Sequence, residues 1–216
     1  MPLYVIIIFL SFLASIAGLV VVQENRTLIL YCFPFFLLLS VLVEYTGSRM
    51  SRLNENTINL YNWFTFFEFV FYQFFFWFIT PGKKFKRLAL FCGIGYIVVD
   101  IVNMLFIQGP DAFHSYTYVL GCLLVALLSL QYFYTLFRVP ETTSLTRNTY
   151  FWIVCGLMFN YTCTIALYGL ENFITAKMKF YTPLLLKISD FLNIILYSLF
   201  IIGFICRISP RKLYRS

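Results

Sequence analysis

Seven apolar stretches, each near the length that crosses a lipid bilayer as a helix, dominate this sequence. They cover residues 3–22, 28–46, 57–80, 87–107, 116–137, 149–170 and 183–206. A membrane-spanning helix needs about 20 apolar residues to cross a hydrocarbon core of about 30 Å. The pattern therefore predicts an all-α polytopic membrane protein, with seven transmembrane helices in one domain over residues 1–216.

Lysine and arginine are distributed unevenly between the connections. The first, third and fifth loops and the C-terminal tail hold eleven of them, whereas the second, fourth and sixth loops hold four. The third loop alone contains Lys83, Lys84, Lys86 and Arg87. Because cytoplasmic loops carry the excess of basic residues, the sequence predicts an N-terminus outside and a cytoplasmic C-terminus.

The composition excludes several classes of protein. Apolar residues make up 61% of the chain and charged residues 12%, about half of the charged share of a soluble domain. The loops between the spans are too short for a catalytic, kinase or DNA-binding domain. The net charge of +7 is explained by orientation and by anionic lipid, so we expect the lipid bilayer and no nucleic acid as a partner.

Cysteine and histidine usage argues against a cofactor. The six cysteines lie within the spans or at their ends and form no C-x-x-C pair, and buried cysteine commonly behaves as a small hydrophobe. His114 is the single histidine, which excludes a haem held by two histidines. We expect free thiols, no disulfide, no metal site and no cofactor.

Charged side chains inside the spans are the first candidates for a functional site, because charge at membrane depth is expensive. They are Glu44, Glu68, Asp100, Lys187 and Asp190. Glu68 shares a helical stripe with Thr65 and Tyr72, Asp100 shares one with Asn103, and Asp190 shares one with Asn193.

These positions predict a polar cluster or ligand site in the outer half of the bundle. Its candidate residues are Glu68, Asp100, Asn103, Lys187, Asp190 and Asn193. We expect Lys187 to contact Asp100, because an unpaired ammonium in hydrocarbon costs about 2.5–3.5 kcal/mol. Two structural alternatives stay open: these pairs could only fix helix packing, and charges near the ends, such as Glu44, could reach water.

Several segments resemble a known family. They are Val43–Gly47, Asn59–Phe69, Ser115–Gly121, Phe151–Leu157 and Leu192–Phe200. Together they are similar to a family of small bacterial membrane proteins that has no established function and is often encoded near sensor histidine kinases. The resemblance implies a multi-pass protein of the bacterial inner membrane with a link to signalling, and it carries over no functional residues.

The resulting hypothesis is a receptor-like or sensory membrane protein. It would bind a small apolar or amphipathic ligand in a pocket in the outer half of the bundle, open to the outside. It would couple to a separate cytoplasmic signalling protein. A compact small-solute transporter or channel is the alternative, because seven spans with the N-terminus outside also suit small carriers. A retinal protein using Lys187 is disfavoured because that residue lies close to the outer helix end. Enzyme activity stays open but is not expected, since the chain lacks the H-E-x-x-H and similar motifs.

Overall fold

A computed structural model describes residues 3–21, 28–109, 112–138, 145–175 and 182–208, and this part of the chain contains helices and no β-strand. Each of the seven predicted spans coincides with one helix. The helices are α1 (Leu3–Val21), α2 (Leu28–Arg52), α3 (Ile58–Ile79), α4 (Lys83–Val102), α5 (Ser115–Arg138), α6 (Thr149–Thr175) and α7 (Thr182–Ile208). A π-helical turn, Asn103–Ile107, extends α4, and a 3₁₀ turn, Leu145–Arg147, precedes α6.

Six of these helices are long and apolar enough to cross a membrane, as expected for a multi-pass helical membrane protein. Helix α3 is not one of the six. It has 22 residues, a length of about 33 Å, but it carries the buried polar side chains Asn62, Glu68 and Gln73. These side chains lower the mean hydropathy of a helix that is otherwise rich in phenylalanine.

The helices close into a ring in which neighbours along the chain are neighbours in space. Helix α1 packs against α2 and α7, α6 packs against α5 and α7, and α4 packs against α3 and α5. Helix α3 packs against α2, α4 and α5 and also reaches α6 through a side-chain hydrogen bond. Asn62, Glu68 and Gln73 lie on the face of α3 that these neighbours bury, whereas Trp63 and Phe67 are exposed. The helix therefore carries polar side chains on its inner face that its outer face does not.

Aromatic side chains fill the interior of the bundle in the half where α2 begins and α3 ends. Phe33 of α2 is fully buried. Its ring makes edge-on contacts with four others at centroid distances of 5.3–5.7 Å, from Phe71, Phe75, Phe200 and Phe204. This edge-to-face arrangement is the favoured one for aromatic pairs, and it ties α2, α3 and α7 together.

The turn between α3 and α4 differs from the sequence expectation. The basic residues from Lys83 to Arg87 were predicted to form a loop, but α4 begins at Lys83. Gly82 precedes it with φ +94°, a backbone conformation that favours glycine. Lysine and arginine are good helix formers, so the helix extends into the basic segment.

Candidate functional site

Polar side chains gather at the end of the bundle where α1, α3, α5 and α7 begin, which is called the polar end below. Three helices meet there at Glu44 of α2. The hydroxyl of Tyr4 on α1 donates to Glu44 Oε2 at 2.9 Å, and the hydroxyl of Tyr61 on α3 donates to the same oxygen at 3.3 Å. Glu44 is half-buried, so this carboxylate joins α1, α2 and α3 near the surface.

Gly47 makes the contact between Tyr61 and Glu44 possible. A Cβ atom at position 47 would lie 2.5 Å from the Tyr61 hydroxyl oxygen and 2.9 Å from the ring carbon that bears it. Real side chains do not approach so closely. The glycine therefore lets the phenol cross the face of α2, one helical turn beyond Glu44.

An open pocket of about 510 Å³ lies beside this contact. Its lining residues come from α1, α2, the α2–α3 connection and α3, and they are Tyr4, Gly47, Ser48, Ser51, Arg52, Thr57 and Tyr61. Small-molecule sites in proteins commonly have volumes of about 300–1,000 Å³. Pocket size and position thus fit a small ligand that enters from the polar end.

The chemistry of this pocket is that of an anion-accepting or hydroxyl-accepting site with aromatic walls. Arg52 is exposed and donates through Nε to the Ser48 carbonyl oxygen at 3.1 Å, an arrangement that fixes one edge of the guanidinium. A guanidinium offers further donors in a planar fork that suits carboxylate or phosphate. Ser48, Ser51 and Thr57 add hydroxyl groups around it.

Glu68 lies deeper in the bundle, at the middle of α3, and only 8% of it is exposed. Its Oε1 accepts hydrogen bonds from the Tyr161 hydroxyl on α6 at 3.0 Å and from the Tyr72 hydroxyl on α3 at 3.3 Å. Within the described part of the chain, no lysine, arginine or histidine nitrogen lies within 4.0 Å of this carboxylate. In the described part of the chain, the carboxyl group is thus stabilised by hydrogen bonds from phenols and not by a neighbouring cation.

Tightly packed rings surround the Glu68 carboxyl group. The Phe69 ring lies 5.5–5.6 Å, centroid to centroid, from the rings of Tyr96, Tyr118 and Tyr161. Gly121 of α5 leaves room for it, since a Cβ atom there would lie 2.4 Å from Phe69 Cδ2. The carboxyl group therefore lies among aromatic side chains that contact one another.

Asp100 belongs to a different polar group, which holds the segment between α4 and α5. His114 Nδ1 lies 4.0 Å from Asp100 Oδ1, and His114 Nε2 lies 3.0 Å from the carbonyl oxygen of Gly109. Asn62 of α3 accepts from the backbone N–H of His114 and donates to the carbonyl oxygen of Ala112. These bonds fasten residues 112–114 to the start of α3.

Asn103 lies on the same connection and is fully buried. Its Nδ2 donates to Gln108 Oε1 at 2.9 Å, and Gln108 Nε2 in turn lies 3.1 Å from the Ser115 hydroxyl oxygen. The π-helical turn Asn103–Ile107 ends within this network. Asn103 therefore has a structural role at the end of α4 and does not reach Glu68.

Lys187 and Asp190 are both exposed on α7, and the predicted contact between Lys187 and Asp100 is wrong. Asp100 is buried against His114, and α4 and α7 occupy separate positions in the ring. Asn193 is half-buried and lies 3.5 Å from Asn160 of α6, measured from Nδ2 of Asn160 to Oδ1 of Asn193. The six candidate residues thus do not converge on one cluster, although Asp190 lies within electrostatic range of Tyr4, Glu44 and Tyr61 at the polar end.

Sequence reasoning missed several residues that complete these sites. Tyr4 lies in an apolar stretch of the sequence, Gly47 directly follows the predicted second span, and His114 lies between the fourth and fifth predicted spans. Tyr161 is separated from Glu68 by 93 positions, so no local pattern links them. The stripe Tyr61–Thr65–Glu68–Tyr72 was the one available signal, and it correctly placed Glu68 and Tyr72 on a shared face.

A second pocket, of about 530 Å³, opens at the opposite end of the bundle. It lies between the α3–α4 turn, α5 and the start of α6, and its polar lining includes Thr80, Lys86, Thr135 and Asn148. The Lys86 ammonium nitrogen lies 5.4 Å from the centroid of the Trp77 ring, within cation–π distance. This end therefore combines positive charge with an aromatic surface.

Metal-binding chemistry is not evident in the described residues, which contain no group of three or more His, Cys, Asp or Glu side chains suited to an ion. All six cysteines are free thiols. Comparison of the chain with protein-family models, with curated proteins and with solved structures returned no match. What the protein does must accordingly be inferred from its own geometry.

Proposed function

We propose that this chain is a receptor-like or sensory membrane protein that binds a small amphipathic molecule in the pocket at its polar end. The observation that carries the proposal is the pocket of about 510 Å³ between α1, α2 and α3, with Arg52 on its rim and the Tyr4–Glu44–Tyr61 contact beside it. It opens at a helix end and not toward the middle of the bundle, as expected for a ligand that arrives from water or from the membrane interface.

The lining residues favour a ligand with two chemically different parts. Arg52, Ser48, Ser51 and Thr57 suit an anionic or hydroxyl-rich head group. The rings of Tyr4 and Tyr61 suit an apolar body. A polar metabolite without an apolar part would leave the tyrosine rings in contact with water. A pure hydrocarbon would make no use of the guanidinium N–H groups that do not bond Ser48.

Helix α3 connects this pocket to the interior of the bundle. Tyr61 lines the pocket and bonds Glu44, and seven positions further along the same helix Glu68 bonds Tyr161 of α6. A ligand that displaces the start of α3 would therefore also alter the hydrogen bond between α3 and α6. This arrangement supports transmission of a binding event from the polar end to the opposite end.

The distribution of charge supports an orientation and a class of partner. Basic residues cluster at the end opposite the pocket, where Lys83, Lys84, Lys86 and Arg87 lie in the first turns of α4. By the rule that basic segments face the cytoplasm, the pocket is external and the basic end is cytoplasmic. A separate signalling protein in a bacterial cytoplasm, with this chain in the inner membrane, is the partner that the family resemblance favours.

A compact small-solute transporter is the second candidate, and irregularities in two helices favour it. Pro34 lies inside α2, and the π-helical turn Asn103–Ile107 interrupts the regular winding at the end of α4. Broken or unwound helices line the binding sites of many transporters. Uptake of labelled solutes into vesicles that contain the purified chain distinguishes transport from binding alone.

Retention of a ligand by the purified protein tests the proposed function. The full chain, purified from its membrane in a mild detergent, is analysed by native mass spectrometry beside the variants Gly47→Ala and Gly95→Ala. We expect a bound amphipathic molecule in the wild type that Gly47→Ala loses, because the added methyl displaces Tyr61. Gly95→Ala is the matched control, since a Cβ atom there has no neighbour within 4 Å. Equal retention by both variants would contradict the proposal.

A further inference from the structure

Glu68 is a buried carboxyl group that does not line the proposed ligand pocket. It lies at the middle of α3, whereas the pocket residues of α3 and its preceding turn are Thr57 and Tyr61. Two phenol hydroxyls donate to one of its oxygens, Oε1. Such a group requires an explanation of its own, because membrane-embedded carboxylates are rare and costly.

The ionisable groups that face Glu68 come from every helix packed around it, and none of them carries a positive charge. They are Glu44 of α2, Tyr72 of α3, Tyr96 of α4, Tyr118 and Cys122 of α5, Tyr161 of α6 and Tyr197 of α7. Glu44 repels a negative charge at Glu68, and the phenols and the thiol offer dipoles only. The positive charge that an ionised Glu68 would need is thus not supplied by the described residues.

The packing decides what could supply that charge. Rings of Phe69, Tyr72 and Tyr161 stand 5.6 Å apart around the carboxyl group, and these three side chains are at most 3% exposed. Rings in mutual contact around a buried carboxyl group favour a proton over a hydrated metal ion or an organic amine, because either of the larger cations would need a cavity of its own. A proton needs no cavity, and Glu68 keeps 8% of its surface accessible.

We propose that Glu68 is an exchangeable proton-binding site in the middle of the helix bundle. In the ionised form, Oε1 accepts charge-assisted hydrogen bonds from Tyr161 and Tyr72. When a proton from solvent binds, an O–H bond forms on the carboxyl group and no bond in the chain breaks. The two phenol bonds then lose their charge assistance, which makes up much of their strength.

Binding of the proton would weaken the contact between α3 and α6. Tyr161 is the donor that comes from another helix, so weakening its bond loosens α6 from α3. This inference goes beyond the proposed receptor function and does not depend on it, since the pocket residues and the proton site share no side chain. A protein that fails to bind any ligand could still take up a proton at Glu68, and the reverse also holds.

Infrared difference spectroscopy tests the proposal on the full chain in lipid nanodiscs, with pH as the only variable. Across about pH 5 to 9, the wild type should show a C=O stretching band of a protonated carboxyl group that rises as the pH falls. Glu68→Gln, which keeps the size and shape of the side chain, should lose this band, while Glu44→Gln should keep it. A titrating band of unchanged size in Glu68→Gln would overturn the proposal.

Isotope labelling makes the test independent of whether a variant folds. Wild-type protein grown with glutamate carrying ¹³C in the side-chain carboxyl group should show the same band displaced to lower wavenumber.

The variant Tyr161→Phe gives a second test. It removes a hydrogen-bond donor to the ionised form of Glu68, so the carboxyl band of this variant should persist at a pH at which the wild type has lost it. A wild-type band that the label does not move, or the absence of any titrating carboxyl band, would contradict the proposal that Glu68 binds an exchangeable proton.

Discussion

The Tyr161 hydroxyl of α6 lies 3.0 Å from Oε1 of Glu68 on α3, and the two residues are 93 positions apart. This bond joins α3 to α6, which are not neighbours along the chain, near the middle of the bundle. It also gives a buried carboxyl group its shorter hydrogen bond, since the second donor, Tyr72, lies at 3.3 Å. Stability of the contact between α3 and α6 should accordingly depend on this phenol.

Replacing Tyr161 with phenylalanine should lower the free energy of unfolding by about 1–3 kcal/mol, the cost of leaving a buried acceptor without its partner. Thermal unfolding in detergent, followed by the fluorescence of a thiol-reactive dye, measures the loss. Tyr72→Phe is the matched control, because its bond is longer and stays within one helix, and it should cost less. Equal midpoints for Tyr161→Phe and the wild type would show that the bond contributes nothing.

Gly121→Ala should destabilise the bundle more than any other glycine-to-alanine change in α4 or α5. The new methyl would overlap the Phe69 ring, whose atoms lie 2.4–2.6 Å from the Cβ position, and overpacking of this kind costs about 1–3 kcal/mol. Gly95→Ala should be neutral or slightly stabilising, since alanine is the better helix former. If the two variants unfold at the same temperature, the packing around Phe69 is looser than described.

Asn62→Ala should release the connection between α4 and α5. Its side chain bonds the backbone at both Ala112 and His114. The variant therefore removes the hydrogen-bond partners of the Ala112 carbonyl group and of the His114 N–H, and this N–H can then exchange with water. Hydrogen–deuterium exchange of the full chain should become faster at residues 112–118, read from peptides by mass spectrometry. Asn193→Ala is the control, and comparable exchange in both variants would contradict the role assigned to Asn62.

Reporter fusions test the orientation on which the assignment of an external pocket rests. Fusions after Lys84 and at the C-terminus should report a cytoplasmic location, and a fusion at Asp111 should report an external one. The physical reason is the excess of basic residues in the third loop and the tail. A cytoplasmic signal at Asp111 would invert the bundle and place the pocket on the cytoplasmic side.

The helices could be predicted from the sequence because span length is a local property. Seven runs of apolar residues located α1 to α7 closely, and only the start of α4 and several helix ends differed. Hydropathy alone was less informative for α3, where Glu68 and Gln73 lie on a face that neighbouring helices bury. Burial of a face by other helices is a tertiary property that the pattern of one span does not contain.

The sites could be predicted only in part, because helical phase gives the face of a residue but not the helix that it meets. Glu68 and Tyr72 were correctly placed on one face, and their bond is within α3. The pairing of Lys187 with Asp100 failed for the same reason: both lie on polar faces at similar depth, yet Asp100 faces His114 and Lys187 faces outward. Only the order of helices in the ring decides such contacts.

Adding back the retained molecule tests the central claim of ligand binding most directly. The small-molecule fraction released by heating the wild-type protein is returned to ligand-depleted wild type, Gly47→Ala and Gly95→Ala, and the unfolding midpoint of each is measured. Ligand at about 100 times its Kd stabilises a protein by about 2.7 kcal/mol, which for a chain of this size raises the midpoint by about 5–10 °C. We predict this increase in the wild type and in Gly95→Ala but not in Gly47→Ala. An unchanged midpoint in the wild type, or the same increase in all three proteins, would contradict binding at the polar-end pocket.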